Sequence, residues 1–212
     1  MIPRIKICGV NTSAAMEAAI AAHIDYAGLV FFARSPRHVE AGTARQLAAL
    51  SGDSIRRTGL FVDAGDEAIA EGVAAGKLSA IQLHGHETPE RAAALRARFG
   101  IAVWKALPIA GPDDIARARD YTGAVDMLLF DAKTPVGQLP GGMGLRFDWS
   151  LVHGYDGAVP WGLAGGLSPA NVADAIAEVR PALVDVSSGV ESAPGVKDAA
   201  AIAAFARAVR TR

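Results

Sequence analysis

The feature that most restricts the fold of this chain is a repeated alternation. Bulky, β-branched runs occupy residues 4–9, 26–32, 58–63, 80–85, 103–107, 127–133, 161–165 and 183–189. Most are nearly continuous apolar segments, the pattern of parallel strands buried on both faces. The intervals between them carry helical spacing. Thr88-Pro89-Glu90 and Ser168-Pro169-Ala170 each set an N-cap hydroxyl before a proline at the first helical position, where the missing N–H costs nothing. Ile202, Phe205, Ala206 and Val209 fall at i, i+3, i+4 and i+7, one apolar stripe suited to packing on a sheet. Eight β-then-α units in 212 residues average about 26 residues each, near the lower end for a (β/α)8 barrel. The expected architecture is therefore α/β, a single (β/α)8 TIM barrel domain over residues 1–212 with no linker left for a second domain. An open doubly wound sheet is the competing arrangement, and the strand count favours closure. The sixth helix is the weakest unit: residues 147–152 are short and 153–157 resemble loop.

Composition narrows the partners. The chain is 51% hydrophobic and 20% charged, with a mean hydropathy of +0.24, enough apolar surface to build a core. Lys and Arg number 21 against 22 Asp and Glu, so no electrostatic footprint for nucleic acid or an anionic membrane is present, and neither partner is expected. The apolar runs stop short of the roughly 18 residues a spanning helix needs. Met1-Ile2-Pro3-Arg4-Ile5-Lys6 has no long apolar stretch after its charges. A single cysteine excludes an intrachain disulfide and the cysteine-rich zinc layouts. The expected location is the cytoplasm.

In a barrel, chemistry sits at the C-terminal ends of the strands, and here those ends are polar. Period-two alternation groups Lys6 with Cys8, Gln82 with His84, and Asp185 with Ser187, and turns Ile7, Leu83 and Val186 towards the helices. Cys8 ends the first run before Gly9 and becomes a base if its pKa falls; the plainer reading of a lone thiol is a small buried hydrophobe. Asp131 closes the apolar run Met127-Leu128-Leu129-Phe130 and there suits general-acid work, against a capping or ion-pairing role, with Lys133 as the nearest partner. His84 and His86 form an H-x-H, but no third ligand is near and no metal is expected. Glycine-bearing ends at Gly141-Gly142-Met143-Gly144, Leu163-Ala164-Gly165-Gly166 and Ser187-Ser188-Gly189 favour a phosphate held by backbone N–H groups after strands seven and eight. Neither G-x-x-x-x-G-K-[ST] nor G-x-G-x-x-G occurs. Arg37, in Ser35-Pro36-Arg37-His38, would set a guanidinium at the rim, able to grip a carboxylate through two parallel hydrogen bonds. With a phosphate cradle beside it, the ligand would be anionic at both ends.

These motifs together resemble the phosphoribosylanthranilate isomerase family along nearly the whole chain. The matching pieces are Lys6-Ile7-Cys8-Gly9, Ser35-Pro36-Arg37-His38-Val39, Gln82-Leu83-His84-Gly85, Leu129-Phe130-Asp131, residues 141–149 with Phe147-Asp148-Trp149, Leu163-Ala164-Gly165-Gly166-Leu167, and Val184-Asp185-Val186-Ser187-Ser188-Gly189-Val190-Glu191 followed by Pro194-Gly195-Val196-Lys197-Asp198. The resemblance implies the same barrel and an Amadori rearrangement in tryptophan biosynthesis with no cofactor. It assigns Asp131 as acid and Cys8 as base, and Arg37 to the anthranilate carboxylate. Gln82, His84 and, on the anthranilate side, Asp185 become further substrate contacts, with Gly142, Gly144, Gly165, Gly166, Ser188 and Gly189 around the phosphate. The family includes monomers and dimers, so a monomer or homodimer is expected. Two positions depart from the family pattern: Met143 replaces a small hydroxyl residue, which predicts a weaker phosphate contact, and Asp63 replaces a common asparagine, adding negative charge at the rim. Another phosphosugar isomerase would share the phosphate loops but would not call for both Cys8 and Arg37. A silent phosphate-ligand binder would not call for Cys8 and Asp131.

Overall fold

The computed structural model describes residues 2–133 and 147–211. Within them eight parallel strands close into a barrel in chain order: β1 (Arg4–Cys8), β2 (Tyr26–Val30), β3 (Arg56–Phe61), β4 (Ala80–Leu83), β5 (Ala102–Ile109), β6 (Met127–Ala132), β7 (Trp161–Leu163) and β8 (Leu183–Val186). The seam is β1 on β8, with Lys6 opposite Asp185. All eight expected runs contain a strand. Closure rather than an open sheet follows from that β1–β8 ladder. β5 runs two residues further than expected, through Pro108 and Ile109, and the Ile109 carbonyl accepts the N–H of Lys133.

The helices are α1 (Ser13–Ala21), α2 (Ala41–Ser51), α3 (Asp66–Gly76), α4 (Pro89–Phe99), α5 (Pro112–Ala116), α6 (Val172–Val179) and α7 (Ala199–Arg210). Thr88 caps α4 through its hydroxyl with Pro89 at the first helical position, as the sequence predicts. Ile202, Phe205, Ala206 and Val209 of α7 are all buried. α6 corrects the expectation at Ser168: the helix begins at Val172, after a turn over 169–171. The Asn171 side chain, which accepts from the Ser168 N–H at 2.8 Å and donates to the Gly166 carbonyl at 2.9 Å, locks that turn. After β6 the helical layer is a 3-10 helix, Trp149–Gly154, matching the weak sixth unit.

Alternation along the strands sorts the core. Ile5, Ile7, Leu83 and Val186 face outward into the barrel–helix layer, whereas Tyr26, Trp104, Met127 and Leu129 fill the barrel interior. The Arg57 guanidinium joins two helix ends, donating to the Gly52 carbonyl beyond α2 at 2.7 Å and the Gly76 carbonyl of α3 at 2.8 Å. A cation is favoured at both ends by the helix dipoles.

Candidate active site

Above the apolar plug the barrel interior becomes ionic. Lys6 is completely buried and donates to both oxygens of Asp185, at 2.8 and 3.0 Å. Gly28 on the neighbouring strand makes the room: a Cβ there would lie 3.0 Å from Lys6 Nζ and 3.1 Å from Cys8 Cα. Burial alone would lower Lys6, but Asp185 and the Cys8 thiol outweigh it and hold the amine above its usual value. Burial pushes Asp185 up against the pull of Lys6. Asp185, expected on the anthranilate side, is thus occupied in closing the barrel seam.

Cys8 lies one layer higher, buried beside Val30 and Leu60. Burial pushes its thiol up, while Lys6 and Lys197 pull it down. A fall in the thiol pKa, the condition under which Cys8 would act as a base, is not met in the unliganded site: burial beside Val30 and Leu60, with the Asp185 charge added to it, outweighs the two ammonium groups.

Asp131 ends β6 on the same mouth. Its Oδ1 accepts the N–H of Ala132 at 2.8 Å, and its Oδ2 lies 3.3 Å from His84 Nε2. The partner is His84 rather than Lys133, because Lys133 lies beyond the strand end with its side chain exposed. Gln82 Nε2 is 3.3 Å from His84 Nδ1, so the Gln82 amide and the Asp131 carboxyl hold the two ring nitrogens of one imidazole. Gln82 Oε1 is buried without a hydrogen-bond partner among the described residues, an acceptor suited to a ligand hydroxyl. The H-x-H divides: His86 is 98% exposed and bonds to Asp63.

The backbone around His84 is pinned on both sides. Buried Lys105 of β5 donates to the carbonyls of Leu83 at 3.3 Å and Gly85 at 2.8 Å, while Glu87 accepts the N–H groups of Gly85 and Asp63, both at 2.9 Å. Burial lowers Lys105, and Glu87 only partly restores it. Asp63, at φ +48°, accepts from the backbone N–H of His86 at 2.6 Å, so its extra charge is spent tying two loops together.

Arg37 stands at the rim as expected, and a carboxylate does occupy its fork, but that carboxylate is Glu191's, at 2.8 and 2.7 Å. The loops after β7 and β8 meet. Gly165 and Gly166 have φ of +80° and +66°, and a Cβ on Gly189 would lie 1.9 Å from the Leu167 carbonyl oxygen. Ser188 opens a 3-10 turn, Ser188–Val190, whose first N–H groups lack intrahelical partners. Gly165, Gly166, Ser188 and Gly189 are thus gathered, whereas Gly142, Gly144 and Met143 lie outside the described residues.

Glu191, Lys197 and Asn171 escaped the sequence reading as site residues. Glu191 and Lys197 were signalled only by membership of the motifs after the eighth run, and Asn171 by nothing quoted from the sequence. The assembled mouth holds a thiol, a carboxyl paired with an imidazole, a guanidinium and two glycine loops, groups that can donate and accept protons.

Comparison with known proteins was made on this basis. A family model described as N-(5'phosphoribosyl)anthranilate (PRA) isomerase matches residues 5–208. An N-(5'-phosphoribosyl)anthranilate isomerase from Rhodospirillum centenum is 50% identical over 204 residues, 95% of this chain and 95% of that protein. The crystal structure of phosphoribosyl anthranilate isomerase from Thermotoga maritima aligns with a TM-score of 0.88 and 34% identity, covering 99% of this chain and 100% of that one. A phosphoribosyl anthranilate isomerase solved in complex with reduced 1-(o-carboxyphenylamino)-1-deoxyribulose 5-phosphate aligns with a TM-score of 0.85 and 32% identity, covering 99% and 100%.

Proposed function

The chain belongs to the N-(5'-phosphoribosyl)anthranilate isomerase family, and from that premise we propose how its residues divide the reaction. The reaction is the Amadori rearrangement of N-(5'-phosphoribosyl)anthranilate, an aminoaldose, to 1-(2-carboxyphenylamino)-1-deoxyribulose 5-phosphate, in tryptophan biosynthesis.

Asp131 gives its proton to the furanose ring oxygen. The C1'–O bond breaks towards that oxygen, and the anilino nitrogen lone pair forms the C1'=N iminium. Cys8 then gives up its thiol proton to solvent and, as thiolate, takes the C2' proton, while Asp131 regains a proton from solvent. The electrons of that bond become the C1'=C2' double bond of an enolamine, and the iminium π pair returns to nitrogen. Tautomerisation moves the C2' hydroxyl proton to C1' and leaves the ketone, with no net gain or loss of protons. Each positioned acid or base contributes roughly 10²–10⁴-fold.

The raised thiol fits this order of events. While the site is empty, burial keeps Cys8 protonated; the iminium brings a positive charge beside it and favours the thiolate when the proton must be taken. Arg37 holds the anthranilate carboxylate, sharing its guanidinium with Glu191. Gln82 and His84 contact the sugar, and Asp185, held by Lys6 at the barrel seam, supplies negative charge beneath the site. Gly165, Gly166, Ser188 and Gly189 hold the phosphate through backbone N–H groups, joined by Gly142 and Gly144. No resident cofactor or metal enters the scheme. A cytoplasmic location suits the single buried thiol, and a monomer or homodimer is the proposed assembly.

The observation that carries this reading is the convergence of Cys8 and Asp131 on one mouth, with Asp185 within electrostatic reach of both. Cys8→Ala and Asp131→Asn, assayed with freshly made phosphoribosylanthranilate, should each lower kcat by about 10²-fold or more with the fold intact. Near-normal turnover in either variant removes that residue from the scheme.

A further inference from the structure

Beyond β8 the chain forms a two-stranded hairpin, β9 (Glu191–Ala193) and β10 (Val196–Lys197), in which Glu191 and Lys197 are register partners. The Lys197 side chain is fully buried, with Nζ 2.6 Å from Glu191 Oε1. The same ammonium donates to the Ser187 carbonyl at 3.0 Å and its hydroxyl at 3.3 Å, and that hydroxyl donates to the Cys8 carbonyl at 3.1 Å. Glu191 meanwhile fills the Arg37 fork. The packing beneath is equally close: a Cβ on Gly9 would lie 2.5 Å from Arg37 Cδ, and one on Gly195 would lie 2.5 Å from the Pro36 carbonyl oxygen. A buried ion pair that only filled space would be replaceable by apolar side chains at no loss. This one instead links two separate parts of the mouth.

We propose that Glu191 and Lys197 are positioning residues of the isomerase reaction, Glu191 aiming Arg37 at the substrate carboxylate and Lys197 bracing the Ser187–Cys8 corner while supplying positive charge near the thiol. The inference rests on the assignment of Arg37 as carboxylate clamp and Cys8 as base. The charged groups acting on the thiol are Lys6 from β1, Asp185 from β8 and Lys197 from β10, so the loss of Lys197 leaves Lys6 alone to oppose burial.

The test uses the whole chain. Cys8 is the only cysteine, so ultraviolet thiolate absorbance, with Cys8→Ala as blank, titrates it directly without substrate. Lys197→Met should move that titration to higher pH and Lys197→Arg should restore it. The paired change Glu191→Gln/Lys197→Met leaves no unpaired charge within the hairpin and keeps an amide oxygen at position 191 as an acceptor for Arg37, so it keeps the measurement open if Lys197→Met unfolds, and it should move the titration the same way. In kinetics, Glu191→Gln should raise KM about 10-fold with kcat within about 3-fold of the parent. A folded Glu191→Gln with unchanged KM, or a paired variant whose thiol titrates as the parent, overturns the proposal. Failure of the underlying reading looks different: an active Cys8→Ala or an unchanged KM in Arg37→Ala removes the base or the clamp and leaves the titration result standing.

Discussion

Gly165→Ala tests whether the end of β7 is shaped for Asp131. At φ +80° any Cβ is strained, by about 1–2 kcal/mol. The new methyl would also lie 2.6 Å from the Ala132 nitrogen and 2.8 Å from Asp131 Oδ1, the two atoms of the bond that sets the Asp131 carboxyl. Overpacking of this kind costs about 1–3 kcal/mol more. If the backbone absorbs the clash, urea melts should show about 2–5 kcal/mol of lost stability. If Asp131 absorbs it, the carboxyl turns away from His84 and kcat should fall by about 10²-fold with a smaller stability loss. A double-mutant cycle separates the two routes: in an Asp131→Asn background Gly165→Ala should cost kcat little, because the group it displaces has already gone. Parental kcat together with a parental melting curve would refute the steric argument, and an undiminished kcat effect in the Asp131→Asn background would refute its assignment to Asp131.

Lys6→Met should destabilise the barrel by about 3–5 kcal/mol in urea melts by leaving Asp185 buried and unpaired, whereas Lys6→Met/Asp185→Leu should recover much of that loss. Burial would raise Glu191, but hydrogen bonds from Arg37 and Lys197 outweigh it and hold it below its ordinary value of 4.5. Its stabilising contribution is therefore complete above that value and lost as pH falls through the lower, folded one. The stability difference between parent and Glu191→Gln should accordingly be largest near neutrality and shrink in acid. Asp63→Asn should leave KM unchanged, since asparagine tolerates the left-handed backbone and still accepts the His86 N–H; a marked KM change would place the charge of Asp63 in substrate binding.

What the sequence disclosed depended on range. Strand positions and the inward pairing of Lys6 with Cys8 and Gln82 with His84 are local period-two facts, readable within six residues. The Thr88-Pro89 start of α4 is equally local. Ser168-Pro169 misled because Asn171, three residues on, captures the Ser168 N–H and delays the helix. Arg37 was read as able to grip a carboxylate, and the one it holds here belongs to Glu191, 154 residues away, where no spacing rule reaches. The direction in which the Cys8 thiol shifts was beyond the sequence for the same reason: its surroundings are set by Val30, Leu60, Asp185 and Lys197, none of them near it in the chain.

The Lys6–Asp185 pair joins residues 179 apart, and Ser187 reaches Cys8 over the same interval. Of the ladder contacts in the barrel these span the longest loop, so they carry the heaviest closure entropy and should form late in folding. On a ribosome, β1 must wait with an open edge while seven further strands are made. Until β8 arrives Cys8 has no Asp185 and no Lys197 beside it. The mouth should therefore be complete only once β8 docks on β1, and the upward shift of a single thiol on burial would mark the moment the ring shuts.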